Sequence, residues 1–524
     1  MSCYIIKTLY TTQIHHGMMN MNILPAKLVD FVMISMQVIA TLFILVLVLA
    51  VVWVIVAYLI DVTQTEQTIR RNYPVIGRFR YFFEHVGEFF RQYFFAMDRE
   101  ELPFNRAQRS WVYRASKNVD STVAFGSTDN INNAGRVQFV NCAFPTLSQD
   151  AVPPRPQTIG ATCKQPYTTD SIINISGMSF GAISKPAVLA LSAGAKAAGC
   201  WMNTGEGGLS SYHIEGGADI VFQIGTAKNG VRDLAGNLDD AKLIEVAAHP
   251  QVKMFEIKMS QGAKPGKGGI LPAEKVTAEI AAIRGIEVGK DALSPNRHLD
   301  ITSFVDLIDM VNHIRDITGK PTGFKMVIGS PKQLDELLSV IKQRGADTAP
   351  DFITIDGAEG GTGAAPMALI DSIGMSIRES LPLVVDKLKE YGLRDRITVI
   401  SAGKLITPAA VAWALCIGAD FITSARGFMF SLGCIQALQC NKNTCPTGIT
   451  THNLKFQRGL HPATKAVRVR NYVDNMVKEV GLIAHSCGVN NPRALTRSHA
   501  RIVMENGQVK GMDEIYPEPE LLNE

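Results

Sequence analysis

Several features that are typical of other classes of protein are missing from this 524-residue sequence. An excess of one charge is missing: 52 Lys and Arg residues balance 48 Asp and Glu residues, and no basic stripe with interleaved aromatic residues occurs, which argues against nucleic-acid binding. Internal repeats and low-complexity tracts are missing, which argues against a repeat array. A disulfide framework is missing too, because the nine cysteines are odd in number, with six scattered and three clustered. That distribution fits a reducing compartment and a metal site better.

Charged residues are also absent between Phe31 and Ile60, and Val38–Ile60 is almost entirely apolar. This run is longer than the roughly 20 residues that a helix needs to cross a bilayer. A secretory signal is the alternative, but its apolar region is typically about 7–15 residues long, and no small-residue cleavage site follows Ile60. We therefore predict a short N-terminal segment over residues 1–30 and a retained transmembrane helix over 31–61.

The basic residues around the apolar run predict its orientation. Only Lys7 and Lys27 precede it, whereas five arginines follow it: Arg70, Arg71, Arg78, Arg80 and Arg91. The positive-inside bias therefore predicts a single-pass protein whose catalytic domain is cytoplasmic. A juxtamembrane and N-terminal extension follows over residues 62–170. Its aromatic and arginine-rich part, 65–115, is either an amphipathic element that contacts the membrane or a partner subunit, or a set of helices that pack on the main domain.

Short β-branched runs alternate with Ala- and Leu-rich helical stretches through the main domain, residues 171–450. The predicted strands are 172–178, 200–204, 219–225, 254–259, 323–329, 351–357, 397–403 and 420–426. Eight such units predict an α/β fold, a (β/α)8 TIM barrel, with a doubly wound open sheet as the alternative. Glycine-rich segments after the strand ends favour the barrel, where those loops meet on one face. Residues 451–524 are predicted to form a helical C-terminal extension.

Loops after the seventh and eighth strands have the composition of a phosphate site. Gly403 and Lys404 follow the seventh strand, and Arg426 and Gly427 follow the eighth. Barrels often bind phosphate with these two loops, through backbone N–H groups near a helix N-terminus. Lys325 lies inside the fifth strand, and an inward-pointing lysine is costly unless an opposite charge accompanies it, which predicts a cofactor as its partner.

Two further loops indicate an anionic substrate. The segment SQGAKPGKGGIL, residues 260–271, combines four glycines with Lys264 and Lys267 and is either an anion-gripping loop or a solvated one. Glu206, between glycines after the second strand, could orient an ammonium-like group or act as an acid or base. A surface carboxylate is the alternative for Glu206.

Three cysteines, Cys434, Cys440 and Cys445, follow the last predicted strand with the spacing Cys-x5-Cys-x4-Cys. This is neither a zinc spacing nor the common ferredoxin run. Three thiolates without a close fourth suit a three-iron cluster, and buried structural cysteines are the alternative.

Six motifs resemble, in the same order, the synthase domain of glutamate synthase, over about residues 172–500. They are GMSFGAIS (177–184), NTGEGG (203–208), KMSQGAKPGKGG (258–269), SPNRHLDI (294–301), GAEGGTGAAP (357–366) and LGCIQALQCNKNTCPTG (432–448). The resemblance implies a (β/α)8 barrel with FMN and a 3Fe–4S cluster. It also implies that ammonia adds to 2-oxoglutarate and that reduced FMN reduces the resulting 2-iminoglutarate to L-glutamate.

The resemblance also assigns roles to individual positions of this chain. The cluster ligands would be Cys434, Cys440 and Cys445. The flavin would contact Met178, Ser179, Lys325 and Gly361, and its phosphate would contact Gly403, Lys404, Arg426 and Gly427. The substrate or its imine would contact Glu206, Gln261, Lys264 and Arg284, of which Glu206, Gln261 and Lys264 are the expected catalytic residues.

The chain departs from the family's long form at two points. The long form reads K-P-G-E-G-G-Q where this chain has Lys267 and Ile270, so that the substrate loop loses a carboxylate and an amide. A related FMN and iron–sulfur oxidoreductase or amine transferase, acting on another 2-oxo acid or amine, is therefore the alternative function. Cys3 precedes the apolar run, and residues 61–170 are too few for a glutaminase domain. We expect free ammonia or a separate amidotransferase subunit as the nitrogen source, and ferredoxin or a membrane carrier as the electron donor.

Overall fold

The computed structural model describes residues 26–522 of the chain. Most of the predicted N-terminal segment, with Cys3 and Lys7, lies outside the described residues. The chain divides into two compact units, Met1–Pro103 and Phe104–Glu524. The second unit therefore begins well before residue 171, where the barrel domain was expected to start.

The first unit is dominated by one long apolar helix, Ala26–Thr63. Its length and composition are sufficient to cross a membrane, and none of its most apolar stretch is buried. The helix begins five residues before the expected boundary at 31 and ends two residues after 61. Two shorter helices, Thr68–Asn72 and Gly77–Phe90, and a π-helical turn, Arg91–Phe95, follow it.

The second unit is built on a closed barrel of eight parallel strands. The strands are β1 (Ile173–Ile175), β2 (Met202–Asn203), β3 (Ile220–Ile224), β4 (Val252–Lys258), β5 (Thr322–Met326), β6 (Phe352–Asp356), β7 (Thr398–Ala402) and β8 (Phe421–Ser424). Sequential strands are neighbours, and the pairing of β8 with β1, with Ile422 opposite Ile173, closes the barrel. The predicted barrel is confirmed, and the open-sheet alternative is wrong.

A helix follows each strand of the barrel. These helices are α1 (Lys185–Ala198), α2 (Ser211–Glu215), α3 (Asp240–Ala248), α4 (Phe304–Thr318), α5 (Pro331–Arg344), α6 (Ile377–Glu390), α7 (Pro408–Ile417) and α8 (Arg426–Leu432). Helix α1 shows why the sequence folds this way: Ser184 caps its first turn, Pro186 stands where no helical N–H is needed, and Gly199 ends it in the left-handed conformation.

Segments outside the barrel cover its sides and one end. The additional helices are Arg106–Ser116, Ala278–Arg284, Met367–Ile370, Leu454–Gln457, Pro462–Ser486 and Met512–Ile515. Single 3-10 turns occupy Ser148–Asp150, Gly205–Gly207, Ala273–Lys275, Ala346–Thr348, Pro492–Ala494 and Arg497–His499. The additional strands form three small antiparallel sheets: Val137–Phe139 with Ala500–Val503 and Val509–Gly511, Gln157–Ile159 with Tyr167–Thr169, and Ile270–Leu271 with Ala292–Leu293. The C-terminal extension is therefore not purely helical, because it contains two strands, of which Ala500–Val503 pairs with Val137–Phe139 of the N-terminal extension.

One end of the barrel is plugged by apolar side chains. Ile159 and Tyr167, from the hairpin before β1, pack with Trp201, Phe352 and Phe421 at the N-terminal ends of the barrel strands. All five side chains are buried. The C-terminal ends of the strands are thus the end left available for chemistry, as is usual in this architecture.

Candidate active site at the C-terminal end of the barrel

A large cleft lies where the C-terminal ends of the barrel strands meet. Its empty volume is about 1500 Å³, with its solvent-open mouth included. Twelve of the residues singled out from the sequence line it: Met178, Ser179, Glu206, Gln261, Lys264, Arg284, Lys325, Gly361, Gly403, Lys404, Arg426 and Cys440. Gly427, Cys434 and Cys445 lie behind these lining residues.

Glu206 is a carboxylate of the cleft that positive charges surround. Its Oε1 lies 2.9 Å from the Nζ of Lys258, the last residue of β4. Burial raises the pKa of Glu206, but the charges of Lys258, Lys264 and Arg284 outweigh burial and hold the pKa below its ordinary value. Glu206 is therefore ionised. Its side chain is largely buried in the cleft, so the alternative of a surface carboxylate is wrong.

Lys264 and Arg284 place two buried cations beside this carboxylate. Burial lowers the pKa of Lys264 to about 8 and that of Arg284 to about 10. The Arg284 Nη2 donates to the Ser179 Oγ at 3.1 Å and to the Phe180 carbonyl oxygen at 3.0 Å. Two cations and one carboxylate at one wall can bind a dicarboxylate together with a positively charged nitrogen.

Lys325 points into the barrel and also lines the cleft, but its charge partner is a protein side chain. Its Nζ lies 3.0 Å from Oδ2 of Asp356, the last residue of β6. Burial lowers the pKa of Lys325, but Asp356 and Glu256 outweigh burial and raise it. Asp356 is therefore the counter-charge of Lys325 within the protein, and contact of Lys325 with a cofactor stays a prediction.

A buried carboxylate supports Lys325 from inside the barrel. Glu256 accepts hydrogen bonds from Asn203 Nδ2 at 2.8 Å, Gln223 Nε2 at 2.7 Å and Thr354 Oγ1 at 2.6 Å. Each of these side chains is buried. The network satisfies the Glu256 oxygens and links four strands of the barrel beneath the cleft.

Glycines bring the loops of the cleft into close contact. Gly403, in the loop after β7, has φ 134°, and a Cβ there would lie 3.1 Å from the Cβ of Ile377. A Cβ on Gly361 would lie 2.9 Å from Arg426 Nε, and a Cβ on Gly427 would lie 2.3 Å from the Tyr472 hydroxyl oxygen. These contacts leave no space for side chains beside the loops after β7 and β8, which were predicted to bind phosphate.

Arg426 joins the loops after β6 and β8. Its Nη2 donates to the Glu359 carbonyl oxygen at 2.6 Å, and its guanidinium lies 4.7 Å from the Phe104 ring centre. Burial lowers its pKa to about 10. Gln261 adds a similar link, because its Nε2 donates to the Gly361 carbonyl oxygen at 3.1 Å.

The residues of this wall fit a phosphorylated ring cofactor. Lys404 and Arg426 supply positive charge, and the close-packed glycines leave backbone exposed. Within residues 26–522, the buried Thr423 Oγ1 has no hydrogen-bond partner, although Thr423 lines the cleft. A buried hydroxyl without a partner is costly, so a polar ligand group at this position would satisfy it.

The three clustered cysteines lie in an irregular loop after α8. Gln436, Leu438 and Asn443 adopt left-handed φ values of 58°, 53° and 55°. None of the three thiols is in a disulfide. Among the described residues, no three His, Cys, Asp or Glu side chains form a ready-made metal site.

The three thiols nevertheless lie close enough together to affect the pKa of Cys434. Burial, together with the charges of Cys440 and Cys445, raises the pKa of Cys434 to about 12. The buried Lys275 donates to the Cys440 carbonyl oxygen at 2.7 Å, and the Tyr113 hydroxyl donates to the Cys434 carbonyl oxygen at 2.6 Å. The loop is therefore fixed to the cleft wall and to the helix Arg106–Ser116.

Lys258 and Asp356 contribute to the site without having been singled out from the sequence. Each is the last residue of a barrel strand, and each pairs with an oppositely charged residue that had been singled out. The sequence signal that could have identified Lys258 and Asp356 is a charged residue at the end of an otherwise buried strand.

Comparison with known proteins places this arrangement in a family. Residues 136–490 match the model for the conserved region in glutamate synthase. The glutamate synthase large subunit-like protein YerD of Bacillus subtilis is 38% identical over 497 residues, which cover 87% of this chain and 94% of that protein. The archaeal glutamate synthase (NADPH) of Methanocaldococcus jannaschii is 34% identical over 333 residues, which cover 64% of this chain and 62% of that protein.

Solved structures add little to this result. Mandelate oxidase with benzoyl-formic acid aligns over 76% of this chain and 98% of its own, with 13% identity and a TM-score of 0.44, too low a likeness to bear on function. The family model and the relative in Bacillus subtilis each cover more than half of the sequence. The chain therefore belongs to the glutamate synthase family.

Proposed function

We propose that this chain reductively aminates 2-oxoglutarate to L-glutamate with FMN and an iron–sulfur cluster, without a glutaminase domain of its own. The observation that carries the proposal is the grouping of Glu206 with Lys258, Lys264 and Arg284 in one cleft, beside Lys325 and the glycine-rich loops. Membership of an oxidoreductase family supports the same conclusion.

Different side chains of the cleft bind different groups of this substrate. Lys264 and Arg284 bind the carboxylates, and Ser179 and Phe180 hold the Arg284 guanidinium in place. Ammonia replaces the keto oxygen, which leaves as water, and gives an imine. The ionised Glu206 stabilises the protonated imine, because opposite charges attract strongly in a half-buried site. Two electrons and two protons then convert 2-iminoglutarate to glutamate.

FMN would supply the hydride chemistry. In this proposal Met178, Ser179, Lys325 and Gly361 border the flavin ring. Lys325 stays protonated because Asp356 and Glu256 raise its pKa, so it keeps a positive charge at the ring. The residues that would hold the phosphate are Gly403, Lys404, Arg426 and Gly427.

A 3Fe–4S cluster is the second proposed cofactor, with Cys434, Cys440 and Cys445 as its ligands. Three free thiols and the irregular loop that carries them support it, since thiolates are the usual ligands of such clusters. The cluster would deliver electrons that ferredoxin or a membrane carrier provides. Free ammonia or a separate amidotransferase subunit would supply the nitrogen.

A second candidate function, the amination of another 2-oxo acid or the transfer of another amine, is favoured by one position. Ile270 lines the cleft, whereas Lys267 is exposed and does not. Of the two departures from the long form, only Ile270 therefore lies where it could contact a bound substrate. An apolar group there favours a substrate with an apolar portion.

The apolar helix completes the proposal, as a single-pass anchor with the catalytic unit in the cytoplasm. The length and composition of Lys27–Thr63 and the arginines that follow support this orientation. The lipid bilayer is then a permanent partner of the enzyme.

The test is an assay of anaerobically purified full-length protein. Absorbance and electron paramagnetic resonance spectra report the flavin and the cluster, and glutamate is measured after addition of 2-oxoglutarate, ammonium and a chemical reductant. Arg284→Gln is expected to abolish the substrate-induced change in flavin absorbance, whereas Lys267→Ala, at an exposed position, is expected to keep it. A protein with both cofactors that forms no glutamate but responds to another oxo acid supports the second function.

The cluster assignment has its own matched pair of variants. Cys445→Ser is expected to remove the cluster signal and to leave bound flavin in place. Cys163→Ser is the control, because this half-buried thiol donates to Asp351 at 3.4 Å and a hydroxyl can replace it. An unchanged spectrum in Cys445→Ser would contradict the ligand assignment.

A further inference from the structure

The segment that follows the apolar helix is tied to it by one buried carboxylate. Asp61, in the last turn of the helix, is fully buried. It accepts hydrogen bonds from the Arg70 guanidinium at 2.6 and 2.8 Å, from the Arg78 guanidinium at 2.8 and 2.9 Å, and from the Val75 backbone N–H at 2.9 Å. Two arginines from a later segment therefore bind the end of the apolar helix.

We call this contact of Asp61 with Arg70 and Arg78 the clamp. It determines where the helix Gly77–Phe90 begins. The Arg78 guanidinium also lies 5.9 Å from the Trp53 ring centre and 3.4 Å from the Ala57 carbonyl oxygen. Trp53 lies eight residues before Asp61, about 12 Å along the helix axis at 1.5 Å per residue. The helix Gly77–Phe90 thus starts beside the last turns of the apolar helix rather than beyond its end.

Close packing at the turn reinforces this placement. A Cβ on Gly77 would lie 2.8 Å from the Ile69 carbonyl oxygen and 3.0 Å from the Arg70 Cα. Val75 adopts φ 67°, which β-branched residues rarely do. The clamp holds the chain in this conformation, because the Val75 N–H also donates to Asp61.

The helix Gly77–Phe90 is amphipathic, and its apolar face is exposed. At 100° per residue, Phe79, Phe82, Phe83 and Phe90 fall on one side. Phe79 is 57% exposed and Phe83 is 63% exposed, and their rings stack with centres 6.4 Å apart. Phe94, in the π-helical turn, extends the same face and is 74% exposed. Such a row of exposed aromatic rings marks an interaction surface.

Arginines border this aromatic face. Arg80 and Arg91 are exposed and lie eleven residues apart, close to three full turns, so both fall on the same edge of the face. Phenylalanine on one face with arginine at its edge is the composition of helices that lie in the headgroup region of anionic membranes.

We propose that the helix Gly77–Phe90 and the turn Arg91–Phe95 lie in the boundary between headgroups and acyl chains of an anionic bilayer, phenylalanines inward and Arg80 and Arg91 on the phosphates. This inference rests on the proposed membrane anchor, because the clamp brings the helix to the depth of the last turns of that anchor. The segment between the span and the catalytic unit is then a second membrane contact, parallel to the surface.

The experiment uses the full-length protein in nanodiscs of phosphatidylcholine, with or without phosphatidylglycerol, and a phospholipid that carries a photoactivatable acyl chain. Crosslinked peptides are mapped by mass spectrometry. We expect crosslinks in Ala26–Thr63 with both lipids, and crosslinks in 77–95 that are about fivefold stronger with phosphatidylglycerol. Crosslinks confined to Ala26–Thr63 would overturn this inference and leave the anchor intact, whereas their absence from both segments would overturn both.

Two pairs of substitutions separate the aromatic and the charged contributions. Phe79→Ser with Phe83→Ser is expected to reduce crosslinking of 77–95 at least fivefold, while Glu84→Ser, on the exposed polar face, leaves it unchanged. Arg80→Gln with Arg91→Gln, at exposed positions that folding tolerates, is expected to remove the preference for phosphatidylglycerol. Unchanged crosslinking in the phenylalanine pair, or a preserved preference in the arginine pair, would contradict the proposed contact.

Discussion

Lys264 is a buried ammonium group whose pKa burial lowers to about 8. Only the protonated form attracts a carboxylate, so we expect substrate affinity to be constant well below pH 8 and to fall above it, by up to about tenfold per pH unit. The measurement is the substrate-induced change in flavin absorbance, titrated from about pH 6 to pH 9.5. Lys264→Arg keeps its charge over this range, and its affinity should not fall. A decline of equal steepness in both proteins would assign the titration to another group.

Gly427 has no space for a side chain, because a Cβ would lie 2.3 Å from the Tyr472 hydroxyl oxygen and 2.9 Å from Ser424 Oγ. We expect Gly427→Ala to lower the free energy of unfolding by about 1–3 kcal/mol and to weaken retention of the cofactor phosphate. Gly459→Ala is the control, because only one atom lies near that Cβ position, at 3.8 Å. Urea unfolding and the flavin content of the purified protein measure the two effects.

Individual residues also show what a sequence can reveal of a site. The motifs identified Glu206, Gln261 and Lys264, because these residues lie in distinctive glycine-rich loops of the sequence, whereas Arg284 was assigned by the wider resemblance to the family. The ion pairs of Lys258 and Asp356 were missed, because each pair joins two segments that are distant in sequence and that only the closed barrel brings together. For the same reason, the counter-charge of Lys325 was expected to come from a cofactor rather than from Asp356.

At the scale of elements, all eight barrel strands were predicted, because buried parallel strands are short β-branched runs and each occurs before a glycine-rich loop. Helix α6, between the sixth and seventh strands, contains Pro382 in its interior. A proline removes one helical hydrogen bond, and its effect on a real helix depends on packing that the sequence does not display. The strand pairing of the C-terminal extension was missed because its partner strand lies more than 350 residues earlier.

The plugged end of the barrel is held by charge as well as by apolar packing. Asp351, just before β6, is fully buried and lies 3.1 Å from Arg396 and 3.5 Å from Arg315. We expect Asp351→Asn to lower the free energy of unfolding by about 3 kcal/mol, because two half-buried arginines lose their counter-charge. Urea unfolding measures the loss.

The control for this prediction is Asp316→Asn, an exposed substitution on α4 that should be neutral. Flavin binding should be unchanged in both variants under native conditions, because the cleft lies at the opposite end of the barrel. Loss of flavin without loss of stability in Asp351→Asn would contradict this division between the two ends.

At the scale of the whole molecule, the apolar helix is expected to determine where the protein resides. The full-length chain should remain in the membrane pellet after an alkaline carbonate wash, and a variant without Ala26–Thr63 should be released. A variant of unchanged length, with Leu45→Arg and Leu49→Arg, should also be released in part, because each mid-helix arginine costs about 2.5–3.5 kcal/mol on insertion. Retention of the deletion variant in the pellet would identify another attachment.

The long helix Pro462–Ser486 carries Tyr472, whose hydroxyl lies beneath Gly427 and donates to the Ile406 carbonyl oxygen at 3.1 Å. The same ring packs edge-on against Trp111 and Phe428. The last strand of the barrel ends at Ser424, 48 residues before Tyr472. A ribosome that has completed all eight strands has therefore not yet made Tyr472, on which the loop proposed to bind the phosphate packs. We expect the flavin to load only after synthesis is nearly complete, so that chains that terminate early leave the ribosome colourless.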